Sequence, residues 1–218
     1  MVDAVVFDLD GVLVDSEPVW EEVRRGLVEE YGGHWAEDGQ ARLMGMSTRE
    51  WARYLSDELG VDLPPERVAE LVIDRMAQRL TRDPPLMPGA SDAVRLLADR
   101  WPLGLASSSP RRLIDAVLAA SGLARAFRVT VSTEEVARGK PAPDVYLAVV
   151  EGLGARPPSC VAVEDSTNGL RSAMAAGLRA IAVPQPRYPV DQAVLQEAIA
   201  VLLDLRDLTP DLVHSIAS

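Results

Sequence analysis

Residues 5–11 read Val5-Val6-Phe7-Asp8-Leu9-Asp10-Gly11. A β-branched and aromatic run that closes on two aspartates and a glycine predicts a short buried strand ending in a turn. The run is continuous rather than alternating, as expected for a strand covered on both faces. Similar runs recur at Leu103-Gly104-Leu105-Ala106, Val129-Thr130-Val131, Val161-Ala162-Val163 and Ala180-Ile181-Ala182-Val183. Between them lie segments with apolar residues at helical spacing: 90–100, 110–120, 144–152 and 166–176. Pro110 stands near the first turn of one, and Ser166 is placed as the N-cap of another. Strands alternating with helices predict an α/β protein built on a doubly wound parallel sheet.

The alternation is interrupted after the first strand. Residues 16–83 read as helices only. Val19, Trp20, Val23, Leu27, Val28 and Tyr31 make one apolar stripe; Trp51, Tyr54, Leu55 and Leu59 a second; Val68, Leu71, Val72, Met76 and Leu80, with Arg75 among them, suggest a third. Asp83-Pro84-Pro85 and Met87-Pro88-Gly89 punctuate the return to the alternating pattern. The expected organisation is an all-helical unit, 16–83, inserted into a core formed by 1–15 and 84–218, with hinges near Asp15 and Pro84. The tail beyond Pro186 is expected to add a helix, a short strand near Val201 and a last helix from Pro210.

The chain has 218 residues, 48% of them hydrophobic, enough to bury a sizeable core without disulfides. Cys160 is the only cysteine, in an apolar run, and reads as a buried hydrophobe in a reducing compartment. A net charge of −11 argues against nucleic-acid or anionic-membrane partners, which need a positive footprint. No signal-peptide pattern opens the sequence, and no stretch approaches the roughly 18 apolar residues of a membrane span. A cytoplasmic monomer is the expectation. Of the 22 basic residues, 21 are arginine; the single lysine, Lys140, marks a place where a guanidinium will not serve.

In an open α/β sheet, ligands bind beyond the carboxyl ends of the strands. Asp8 and Asp10 follow the first strand, Ser107-Ser108-Ser109 the second and Glu164-Asp165 the fourth; Lys140 precedes a helix in Gly139-Lys140-Pro141-Ala142-Pro143-Asp144. Carboxylates this close stay ionised together only around a cation, and hard oxygen ligands select Mg²⁺. A phosphate entering such a site needs compact positive charge and donors, which Lys140, Ser107 and the turn amides around Leu9, Asp10 and Ser108 can supply. Asp8 can attack phosphorus in line, and Asp10 can protonate the leaving alcohol and then activate water. Asp-x-Asp-Gly also occurs in calcium loops, but the apolar strand before it and the missing later ligands speak against one. His34 and His214 are too isolated for a transition-metal site.

Asp8-Leu9-Asp10-Gly11-Val12-Leu13-Val14-Asp15-Ser16-Glu17, Ala106-Ser107-Ser108-Ser109, Gly139-Lys140-Pro141-Ala142-Pro143-Asp144 and Val163-Glu164-Asp165-Ser166-Thr167-Asn168-Gly169 resemble, in order and spacing, the four motifs of haloacid dehalogenase superfamily phosphatases. The resemblance implies a Rossmann-like core with a helical cap, as in the subgroup of β-phosphoglucomutase and small sugar-phosphate phosphatases. It implies Asp8 as nucleophile, Asp10 as general acid and base, and Ser107 and Lys140 on the phosphate. It also implies Mg²⁺ on Asp8, the Asp10 backbone carbonyl and Asp165, with Glu164 in or near that shell.

Within the superfamily, dehalogenases lack the second aspartate of the first motif, whereas Asp10 is present. Phosphonate hydrolysis uses a cap lysine, and the only lysine lies outside the insertion. Mutases carry a cap histidine and an arginine in a Gly-x-Ser-Arg loop, where this chain has Trp20 and, in Gly45-Met46-Ser47-Thr48, Thr48 with Arg49 one residue late. Ser109-Pro110 stands where the mutases show Ser-Lys. Asp15-Ser16-Glu17-Pro18 with Trp20 is similar to 2-deoxyglucose-6-phosphate and hexitol-phosphate phosphatases. The expectation is therefore a Mg²⁺-dependent phosphatase of a small sugar or polyol phosphate, acting through an aspartyl-phosphate, with specificity from Glu17, Trp20, Gly45, Thr48, Arg49 and Arg75. A phosphosugar mutase is the alternative. So is a non-catalytic sugar-phosphate-binding protein, though its first motif should be disabled.

Overall fold

The computed structural model describes residues 1–43 and 46–216. Six parallel strands, β1 (Ala4–Phe7), β2 (Leu103–Ser107), β3 (Phe127–Ser132), β4 (Cys160–Glu164), β5 (Arg179–Ala182) and β6 (Ala200–Val201), form one sheet in the order β3-β2-β1-β4-β5-β6. The chain winds outward from β1 to β3, then crosses back to lay β4 beside β1. That reversal places a crevice at the carboxyl ends of β1 and β4.

The two faces of β1 explain its continuous apolar run. Val5 and Phe7 point into a core shared with Leu103, Leu105, Val161 and Val163. Ala4 and Val6 point into a second core with Ala106, Tyr146, Cys160 and Ala162. All of these residues are buried, including Cys160, a free thiol that burial pushes up to about 11.

Between β1 and β2 the described chain is helical: α1 (Glu17–Glu30), α2 (Gly39–Leu43), α3 (Thr48–Arg53) running into a π-helical turn at Tyr54–Glu58, α4 (Pro65–Arg82), then α5 (Ala90–Ala98), which already packs under the sheet. α1 buries Trp20, Val23, Leu27 and Val28, and α4 buries Val68, Val72, Met76 and Leu80, so these two apolar stripes meet within one helical layer. α3 starts on a capping box in which Ser47 and Glu50 satisfy each other's backbone amides. The chain segments leading into and out of this layer run antiparallel and are hydrogen-bonded: Val14 bridges Leu86, and Asp15 N donates to Pro85 O at 2.8 Å.

After β2 come α6 (Arg111–Ala120), α7 (Asp144–Gly152), α8 (Thr167–Ala175), α9 (Gln192–Glu197) and α10 (Pro210–Ile216). α4 rests on α6, where Arg112 pairs with Asp74. No described helix is long and apolar enough to cross a membrane.

Candidate active site

The site is assembled at the crevice by register. Phe7 pairs with Val163, and Asp8 N donates to Val163 O at 3.0 Å, so Asp8 leaves β1 beside Glu164 leaving β4. Gly11 turns the chain with φ +79°, and a Cβ there would collide with the Asp165 carboxylate. A glycine at this position is what lets the turn after β1 and the end of β4 come together.

Lys140 arrives from the loop before α7. Its Nζ donates to Asp8 Oδ1 at 2.7 Å, Glu164 Oε1 at 2.5 Å and Ala106 O at 3.0 Å, which uses all three ammonium donors. Tyr146, one turn into α7, donates its hydroxyl to Glu164 Oε1 at 3.0 Å and sets its ring 5.2 Å from Nζ. The other oxygen of Glu164 accepts from the amides of Asp165 (3.0 Å) and Ser166 (3.3 Å) and from Ser166 Oγ (3.2 Å). Both oxygens of this fully buried carboxylate are thus occupied by the protein's own donors.

Asp10 is held differently. Ser16 Oγ donates to its Oδ1 at 2.5 Å, and Ser109 Oγ to its Oδ2 at 2.7 Å, with Ser107 Oγ further away at 3.4 Å. Ser107 also accepts from the Ser109 amide at 3.0 Å, which curls the loop after β2 around Asp10.

The electrostatics are those of a crowded acidic pocket. Burial, and then the charges of Glu164 and Asp10, push Asp8 up to about 8 against the pull of Lys140. Burial, then the charges of Glu164 and Asp8, hold Asp165 well above the usual carboxylate range. Lys140 loses solvation too, but Asp8 and Glu164 outweigh that and hold it above its ordinary value. Asp8, Glu164 and Asp165 can each present an oxygen within 4.8 Å of the others. An all-carboxylate set short of positive charge suits a hard divalent cation.

A cavity of ≈ 390 Å³ opens over these groups, lined by Asp8, Asp10, Ser108, Lys140, Asp165, Ser166, Thr167, Asn168, Glu17 and the loop Arg187-Tyr188-Pro189. The haloacid dehalogenase-like hydrolase profile matches residues 2–177, which span every one of these groups except the last loop. The chain belongs to the haloacid dehalogenase-like hydrolases. Among its relatives, hexitol phosphatase B of Escherichia coli is 36% identical over 205 residues, covering 86% of each chain. The phosphorylated carbohydrates phosphatase of Thermotoga maritima is 34% identical over 181 residues, covering 83% of this chain and 84% of the relative. The crystal structure of CbbY from Rhodobacter sphaeroides in complex with phosphate superposes with a TM-score of 0.84 at 26% identity, over 95% of this chain and 96% of that one.

In this haloacid dehalogenase-like hydrolase, the residues named from the sequence divide by position. Asp8, Asp10, Ser108, Lys140 and Asp165 meet at the cavity, with Glu164 and Ser107 directly behind them. Of the helical insertion, Glu17 lines the cavity. Trp20 is buried against Trp51, Thr48 begins α3, Arg49 is exposed, and Arg75 pairs with Glu30 on the outer surface at 2.7 Å. Gly45 lies outside the described residues.

Sequence reasoning missed Arg187 and Tyr188, although their loop follows β5 and the same rim rule could have found them. Tyr188 lines the cavity together with Glu17, and burial, then the charges of Glu17 and Glu21, raise its hydroxyl. Sequence reasoning named Gly169 only as the end of the fourth motif and gave it no role. This residue lies in the first turn of α8, so close to Glu164 that a Cβ would collide with the carboxylate. Gly169→Ala should therefore displace the anchor of Lys140, lowering turnover about a hundredfold and stability by about 1–3 kcal/mol, checked by steady-state kinetics and thermal unfolding.

Proposed function

We propose that the protein is a Mg²⁺-dependent phosphatase of a small sugar or polyol monophosphate, acting through an aspartyl-phosphate on Asp8. The observation that carries this reading is the Lys140 ammonium between Asp8 and Glu164, beside an Asp10 held by Ser16 and Ser109, beneath one open cavity. The carboxylates of Asp8 and Asp165, with the Asp10 backbone carbonyl, would hold the cation. Glu164, its oxygens already engaged, serves behind them as the anchor of Lys140. When bound, Mg²⁺ supplies countercharge to Asp8 and to the incoming phosphate.

Lys140, Ser108 and the turn amides of Leu9 and Asp10 surround the phosphate. Ser107 joins them by exchanging its long 3.4 Å bond to Asp10 for a phosphate oxygen. An Asp8 oxygen then bonds to phosphorus as the bond to the leaving alcohol oxygen breaks, and Asp10 gives that oxygen its proton. Asp10 next takes a proton from water, whose oxygen attacks phosphorus and frees the Asp8 carboxylate and inorganic phosphate. The serine hydroxyls at 2.5 and 2.7 Å keep the Asp10 carboxyl aimed through both half-reactions. Residues 16–83 form a cap that closes over the core of 1–15 and 84–218, excluding bulk water; the paired crossings at Val14 and Leu86 are its hinge. Every site residue comes from one chain, so a monomer suffices.

The names of the two curated relatives support hexitol and carbohydrate phosphates as the substrate class. A panel of phosphorylated sugars and polyols should release phosphate with Mg²⁺, lose activity to a chelator and regain it on readdition. No turnover across the panel overturns the reading. In an NMR product assay, β-glucose 1-phosphate should give glucose and phosphate; glucose 6-phosphate instead would make the protein a mutase.

A further inference from the structure

Arg24 is the one buried arginine of the described chain that meets no carboxylate within 4.0 Å. It sits on α1, two turns after Glu17, on the buried face of the helix. Its guanidinium lies 4.5 Å from the ring of Trp20 and 5.3 Å from that of Trp51, and its Nε finds no hydrogen-bond acceptor among the described residues. Burial without a paired anion is costly for a cation, and two aromatic faces offset only part of that cost. Such a placement calls for a task.

The contacts show the task. Arg24 Nη1 reaches Gln40 Oε1 at 3.5 Å, and Gln40 Nε2 donates to Glu17 Oε2 at 2.6 Å. Only this orientation of the amide satisfies both ends, since the reverse would set NH₂ against guanidinium and oxygen against carboxylate. Gln40, buried on α2, therefore relays the Arg24 charge to Glu17, which lines the cavity. Glu17 Oε1 receives no donor from any described residue, which leaves it open to the cavity. Burial raises Glu17, and Arg24 opposes that rise.

We propose that Arg24 and Gln40 are positioning residues that hold Glu17 as an aimed carboxylate, so that the part of the cavity it lines reads hydroxyl donors and rejects a second anionic group. This rests on the phosphatase reading and narrows its substrate class to monophosphates of neutral polyols and sugars, against bisphosphates and phosphorylated sugar acids. A carboxylate accepts only, so it rewards an O–H and repels a phosphate or carboxylate in the same place. Of the two cations lining the cavity, Lys140 is spent on Asp8 and Glu164, and Arg187 is exposed and screened by solvent.

The test compares a hexitol monophosphate, the corresponding bisphosphate and p-nitrophenyl phosphate, which carries no hydroxyls. Wild type should prefer the monophosphate over the bisphosphate at least about tenfold in kcat/KM. Gln40→Leu and Arg24→Met should each lower the ratio of hexitol phosphate to p-nitrophenyl phosphate kcat/KM about tenfold, through KM rather than kcat, and Arg24→Lys should restore part of it. A parallel fall for both substrates would mean a merely structural role and overturns the proposal, as does equal turnover of the bisphosphate. Gln40→Leu keeps the volume of the side chain and stands as the test if Arg24→Met does not fold. Turnover of p-nitrophenyl phosphate without any of hexitol phosphate sinks this inference while leaving a phosphatase; turnover of neither sinks the phosphatase reading itself.

Discussion

Asp8→Asn should abolish turnover, by about four orders of magnitude or more, while leaving the protein at least as stable as wild type without Mg²⁺. The loss follows from the nucleophile: an amide oxygen is a poor attacking group at phosphorus, and no neighbouring group can substitute for it. The stability follows from the crowding. Asp8 is buried beside Glu164 and Asp10, and those neighbours with desolvation already push it up to about 8. An amide never ionises, so the variant escapes the cost of charging a buried carboxyl beside Glu164 and Asp10. Lys140 keeps Glu164 at 2.5 Å and Ala106 O at 3.0 Å, so no ammonium is stranded. The net change should stay within about 1 kcal/mol. Mg²⁺ should raise the melting temperature of wild type more than that of the variant, because the variant has lost one ligand of the folded state. Thermal unfolding with and without Mg²⁺, beside a phosphate-release assay, checks both halves. A variant that melts far below wild type would mean that Asp8 is a structural residue.

The parts legible in the sequence are those that carry their signal locally. β1 is readable because Val5, Val6 and Phe7 all face packed layers, and β4 for the same reason. Asp8, Asp10, Glu164 and Asp165 are readable because each follows such a run directly, where an open parallel sheet binds its ligands. Lys140 is readable because arginine fills every other basic position. The supporting residues were not. Tyr146 sits in an apolar helix and looks like core, yet its hydroxyl reaches Glu164 across 18 positions. Ser16 and Ser109 look like a helix start and a loop, and only the fold brings both onto Asp10. Arg24 falls within the apolar stripe of α1, four residues after Trp20 and four before Val28, so the helical period itself puts it on the buried face. What the period cannot report is its partners, Trp51 and Gln40 on other helices. Contacts between segments distant in sequence decide the partners of Tyr146, Ser109 and Arg24, and Ser16, only six residues from Asp10, reaches it because the turn after β1 folds back, which spacing alone does not report.

Lys140→Arg keeps the charge and should still cost about two to three orders of magnitude in turnover. The sequence alone leads one to expect little loss of stability from this change. The structure raises that figure. The lysine side chain is only 6% exposed, with its three donors converging on one nitrogen toward Asp8, Glu164 and Ala106 O. A guanidinium is planar and spreads its donors over three nitrogens, so it cannot meet three acceptors placed around a single point. It is also larger, and Tyr146 closes one side of the space. To enter, it must displace Asp8 from its line toward phosphorus or push Glu164 from the amides of Asp165 and Ser166. Overpacking of this kind costs about 1–3 kcal/mol. The two losses should separate by mechanism. If the guanidinium displaces Asp8, kcat falls while the overall fold persists, and the variant should still bind inorganic phosphate, with reduced affinity. Lys140→Met is the contrasting case: it leaves Asp8 and Glu164 facing each other with no cation between them, and should destabilise by about 3–5 kcal/mol. Kinetics and calorimetry on the pair give the decision. Near-normal turnover in Lys140→Arg would show that a charge anywhere near Asp8 is enough, and that the single lysine in a chain of arginines is an accident of composition.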